Sequence, residues 1–176
     1  MRNFFSTTLL IMLLGFAASP AWSQVESVKM RVDGLACPFC AYGLEKKLKE
    51  VPGVSKIEIR VDDGLVLIDA EKDQDIALER LEPAVKDAGF TARGITATAV
   101  GSILTINDRP VLRVGGGDTE LILEDNPTLK ELLAALQASP QVRVTGRLEE
   151  RTPEGYHAHR FSLTVETFQL LDSATE

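Results

Sequence analysis

Apolar residues alternate with period two around Met30 and Ile59, three-and-four spacings run through Leu44 and Leu81, and turn signals stand at Pro52-Gly53 and Asp62-Asp63-Gly64. Together they predict an α+β chain: a ferredoxin-like β-α-β-β-α-β domain followed by a small OB-like β-barrel with one helix. The expected division is 1–23 as a signal peptide, 24–96 as the ferredoxin-like domain and 97–176 as the OB-like domain.

The leader is read first. Arg2 precedes an apolar run through Leu9, Leu10, Ile11, Leu13, Leu14 and Phe16, and Ala21-Trp22-Ser23 has the A-x-S form of a signal-peptidase site. A cleavable secretory signal ending near Gln24 is expected, and with it a periplasmic location. The run is shorter than the roughly 20 residues a spanning helix needs, and no later segment is uniformly apolar, so no membrane anchor is expected. Cleavage removes one cation and no acid, taking the formal charge from −7 to about −8. A surface of that sign repels phosphate backbones. Nucleic acid is not an expected partner.

In chain order, Val28, Met30 and Val32 alternate with Lys29 and Arg31, as Ile57, Ile59 and Val61 alternate with Lys56, Glu58 and Arg60. Both are half-buried strands. Between them Ala41, Leu44, Leu48 and Val51 define the apolar face of a helix that Pro52-Gly53 ends. Asp62-Asp63-Gly64 turns the chain into a third strand, Leu65 to Ala70. Leu78, Leu81, Val85 and Ala88 give a second helix that stops at Gly89, with a kink expected at Pro83. Phe90 to Ile95 supplies a fourth strand. After Ala99, strands are expected at Val100–Ile106, Pro110–Val114 and Thr119–Leu123. A helix follows with Asn126 as N-cap, Pro127 at its first position, and Leu129, Leu132, Leu133 and Leu136 buried. Val142, Val144 and Leu148 then alternate with Arg143 and Arg147, and His157 to Phe168 is the last strand. Three strands, a helix and two strands is the order of an OB barrel.

The chemistry concentrates in Gly34-Leu35-Ala36-Cys37-Pro38-Phe39-Cys40, which leaves a strand and opens a helix. With Cys37 as N-cap, Pro38 takes the first helical position and Cys40 the first turn. Unpaired backbone N–H groups there favour thiolate over thiol. Two thiolates three residues apart can hold one ion, and soft sulfur selects Cu(I) and its thiophilic relatives. A disulfide across so short a loop would be a weak fold staple. Cys-Pro-Phe-Cys also has the form of a thiol–disulfide exchange motif, although a thioredoxin pattern does not surround it. Elsewhere, His157 and His159 would share one face of a strand and could form a second metal site, against the plainer reading of a solvated strand start. The acidic run Glu71, Asp73 and Asp75 reads as a solvated helix start, and Met30 as core. No Ser-His-Asp order, phosphate loop or H-E-x-x-H pair occurs, so no enzyme activity is expected outside thiol exchange.

Residues 25 to 95 resemble the heavy-metal-associated domain family, the module of copper chaperones, metal-transporting P-type ATPases and periplasmic mercuric-ion binding proteins. The resemblance rests on Gly34, Cys37 and Cys40, on Pro52-Gly53-Val54, and on Ala88-Gly89-Phe90. It implies one metal ion held by Cys37 and Cys40, handed on by thiolate exchange, with Gly34, Leu35, Pro38 and Phe90 supporting the loop. Leu35 stands where the family has Met, and Pro38-Phe39 where it has a small polar pair. Phe90 would shield the loop, or simply pack at a helix end. The expected cargo is Cu(I) or Hg(II), with Zn(II) behind them, and the expected partner a protein donor or acceptor such as a membrane metal transporter. The alternatives are a thiol–disulfide exchange protein, or a docking adaptor dominated by the OB-like domain.

Overall fold

The computed structural model describes residues 24–36, 38–115, 119–136, 141–151 and 161–171. Strand β1 (Gln24–Asp33) leads through the cysteine loop into helix α1 (Pro38–Lys49), followed by β2 (Val54–Arg60), β3 (Leu65–Ala70) and helix α2 (Leu78–Asp87). Then come β4 (Thr91–Ile106), β5 (Arg109–Val114), β6 (Thr119–Leu123), α3 (Pro127–Ala135), β7 (Gln141–Glu150) and β8 (Phe161–Leu171). In the first half the strand order is β2-β3-β1-β4, every neighbour antiparallel, with α1 and α2 in contact with each other. This is the ferredoxin-like motif that the period-two and three-and-four runs predict.

The expectation of a ferredoxin-like domain followed by a separate OB-like β-barrel is corrected. The strands form one eight-stranded sheet, β2-β3-β1-β4-β5-β6-β8-β7, with β7 also pairing with β4. The strands after β4 therefore continue the first half's sheet instead of forming a separate barrel. The reason lies in β4, whose 16 residues fuse two strands that the sequence reading kept apart. Opposite the step from Met30 to Arg31, the register jumps from Ile95 to Arg93, so Gly94, at φ +55°, is an unpaired bulge residue. The glycine inside the expected Phe90–Ile95 strand is thus a bend in a strand that runs on to Ile106. Beyond it, β4 keeps β1 as a neighbour as far as Val100 and takes β5 from Gly101 onward, with β7 on Ile95–Gly101.

Local signals fix the remaining joints. Asn107 and Asp108 both hold positive φ, 51° and 60°, which suits the two-residue turn of the β4–β5 hairpin. Asn126 caps α3 by accepting from the Leu129 N–H at 2.7 Å, ahead of Pro127. Leu129 and Leu132 are buried as expected, but Leu133 is 41% exposed. Helix α2 runs on through Pro83, which is exposed and so removes the donor for the Glu79 carbonyl on a solvated face. Buried side chains from both halves, among them Met30, Leu48, Leu112, Leu132 and Leu163, belong to one contiguous cluster. Glu26 of β1 accepts two hydrogen bonds from Arg143 of β7, at 2.8 and 2.9 Å, across β4. That hydrogen bond holds the Arg143 pKa above its ordinary value.

Candidate functional site

The alternation of β1 buries Val28, Met30 and Val32 and exposes Lys29, Arg31 and Asp33, so the strand delivers the chain to one end of the sheet. There the Val32 N–H donates to the Gly64 carbonyl at 2.8 Å, tying the strand end to the β2–β3 turn. Gly34 follows at φ +93°, a conformation open to glycine and strained for other residues. The chain tightens further as the Ala36 N–H donates to the Gly34 carbonyl at 2.8 Å. Leu35, 8% exposed, turns inward and anchors the loop in the core.

Helix α1 begins at Pro38, the first helical position expected for it, where a missing N–H costs nothing. Its buried face is Ala41, Leu44 and Leu48. The 100° step per residue then sends Cys40 outward in the first turn, where it is exposed. Phe39 and Tyr42 share that outer side, at 90% and 71% exposure. The first turn of α1 carries no acid, while Lys46, Lys47 and Lys49 sit in its last turn. Position 40 thus sits in a first turn without an acid, at the positive end of the helix dipole. Cys37, the residue before the helix, lies outside the described residues, and so do His157 and His159.

Phe90 reaches the loop through the end of α2. The Phe90 N–H donates to the Val85 carbonyl at 3.1 Å and the Gly89 N–H to the Lys86 carbonyl at 2.9 Å, with Gly89 at φ +86°. This paired pattern is a Schellman cap. It sets the half-buried Phe90 ring over Gly34, with its edge 3.4 Å from where a Cβ on that glycine would stand. The structure thereby brings Gly34, Leu35, Phe90 and Cys40 to one end of the sheet.

Two features escaped the sequence reading. The acidic run is not a solvated helix start, because α2 begins only at Leu78 and Asp75 turns to accept the Val25 N–H at 2.9 Å. Nothing local in the sequence marks a partner 50 residues away. The exposure of Phe39 and Tyr42 was readable in principle, since both fall off the Ala41–Leu44–Leu48 face. Among the described residues no three His, Cys, Asp or Glu side chains gather as a metal cluster, and no helix is long and apolar enough to cross a membrane.

Residues 29–91 match the heavy-metal-associated domain family. The mercuric transport protein periplasmic component of Shigella flexneri is 30% identical over 79 residues, which cover 44% of this chain and 84% of that protein. The copper chaperone CopZ of Archaeoglobus fulgidus is 32% identical over 80 residues, 46% of this chain and 37% of its own length. Among solved structures, oxidized MerP from Ralstonia metallidurans is 23% identical, with a TM-score of 0.35 over 39% of this chain and 94% of its own.

Proposed function

The chain belongs to the heavy-metal-associated domain family, and from that premise we propose that it is a periplasmic carrier that holds one thiophilic ion, Cu(I) or Hg(II), between Cys37 and Cys40. The observation that carries the reading is the start of α1 at Pro38, which puts Cys40 on the surface in the first helical turn and Cys37 one residue ahead of the helix. The sulfurs of Cys37 and Cys40 would meet no acid in the first turn of α1. They form a donor pair for a soft ion and discriminate against hard cations. Gly34 and Leu35 shape the loop, and Phe90 closes its inner side. The exposed Cys40 also lets an incoming thiolate join the ion before an outgoing one leaves, so transfer to a protein acceptor needs no free ion. The role is binding and handover rather than catalysis, and the leader at 1–23 delivers the chain to the compartment.

The test loads reduced mature protein with Hg(II), Cu(I) and Zn(II) in turn, measuring stoichiometry and affinity by competition with a chelator. One Hg(II) or Cu(I) per chain is expected, with Zn(II) weaker, and binding should fall by more than about 100-fold in both Cys37→Ser and Cys40→Ser. Unchanged affinity in those variants would overturn the carrier reading. Rapid exchange with a substrate disulfide, at a potential above about −200 mV, would promote thiol–disulfide chemistry in its place.

A further inference from the structure

A groove of about 480 Å³ opens between α2 and the paired strands β7 and β8, sharing no residue with the cysteine loop. That volume is within the range of ligand-sized clefts, about 300–1,000 Å³. Its floor is apolar. Leu78 and Leu148 are buried there, and Ile95 and Phe161 half-buried. Its rim is anionic, with Glu79 and Glu82 from α2, Glu149 and Glu150 from β7, and Glu166 from β8. Among the described residues, Arg147 is the one cation in the lining. Among the described lining residues, five acids against one base give a formal −4.

Among the described residues, Glu79, Glu82, Glu149, Glu166 and Arg147 enter no ion pair, whereas Glu26, Glu45, Glu58 and Glu120 on other surfaces each have a basic partner. Like charges drawn together around apolar surface repel one another, and a bound cation relieves that repulsion. The geometry points to an occupant that is cationic at its tips and apolar along its stems. We propose that the groove docks a Lys- or Arg-bearing amphipathic segment of a partner protein. A lysine's four-carbon stem lies along Leu148 and Ile95 with its ammonium at the glutamates, and an arginine can stack on Phe161. A bare metal ion would leave the apolar floor unused. Nucleic acid and anionic lipid carry the wrong sign. Because α2 comes from the metal-binding half and β7 and β8 from the other, a partner seated here would grip both halves at once.

The test uses the full mature chain, ¹⁵N-labelled, titrated with an alternating Lys-Leu hexapeptide. The amides of Gly94, Thr96, Leu148 and Phe161 should shift together, with affinity falling about tenfold in the triple variant Glu82→Gln, Glu149→Gln, Glu166→Gln. Raising the salt concentration should weaken binding in the same direction. These glutamates are exposed, so the variant's far-UV circular dichroism should match that of the parent. Equal binding by a Glu-Leu hexapeptide, or an affinity unmoved by the triple variant, would overturn the proposal. Spermidine binding as tightly with the same shifts would overturn it too, by identifying a small-cation site. A Cys37→Ser, Cys40→Ser chain should bind the peptide as the parent does, so this result and the metal result stand or fall separately.

Discussion

Gly34 and Gly53 both hold positive φ, +93° and +79°, but they differ in what a side chain would meet. At Gly34 a new Cβ would reach ordinary contact with the Phe90 ring, whereas at Gly53 it would collide with the backbone of Asp75. Backbone conformation alone should cost Gly34→Ala about 1 kcal/mol of stability, while Gly53→Ala adds overlap with atoms that cannot rotate away and should cost about 3 kcal/mol. Urea unfolding of the two variants measures the difference, and equal losses would mean that the Asp75 segment yields easily. Both glycines were legible in the sequence, one before the cysteines and one in Pro52-Gly53. Their contacts were not. The Asp75 carboxylate accepts from the Val25 N–H, 50 residues away, so a reading that sees only neighbours assigns it to solvent.

Elements with a chemical marker at their end were read well, and those without one were not. Asn126-Pro127 announces α3, and the structure places the cap there with a further bond, because Asn126 Nδ2 donates to the Val165 carbonyl of β8 at 2.7 Å. One side chain thus caps a helix and ties it to a strand. Asn126→Ala should lose both bonds and about 2 kcal/mol, whereas Asn126→Asp keeps the capping oxygen, loses the donor and should retain roughly half of that. Urea midpoints decide it: an aspartate variant no better than alanine would show that the bond to Val165 dominates. By contrast, α2 starts after Ala77, with no side-chain cap to announce it. Strand β4 was divided in two, at Phe90–Ile95 and Val100–Ile106, because the Thr-Ala-Thr-Ala run between them does not announce a continuous strand until the partner strand's register is known. Leu133 was placed in the core by its spacing, although α3 presents a face wide enough only for Leu129 and Leu132 beneath it.

At the scale of the molecule, β4 decides whether the halves are independent. The sequence reading divided the chain between residues 96 and 97, but β4 passes through that point without interruption and is hydrogen-bonded on both sides of it. A fragment of residues 24–96 would strip Val28, Ser27, Val25 and Gln24 of their partners Ala97, Thr98, Ala99 and Val100. Val25 and Val28 are fully buried, so their surroundings would open to water as the ladder is lost. A fragment of residues 24–106 retains those pairings and gives up those to β5 and β7, together with the Glu26–Arg143 bonds. The longer fragment should therefore resist urea better, although below the full mature chain. In the full chain, the continuous sheet and contiguous core should couple the halves into one cooperative transition. The measurement is a urea series on ¹⁵N-labelled protein that compares the native amide signals of Leu44 in the first half and Leu132 in the second. A shared midpoint is expected, since neither half can shed β4 without exposing the other's buried side chains. Two separated midpoints, with residues 24–96 as stable alone as within the chain, would show that β4 serves each half locally and transmits nothing between them.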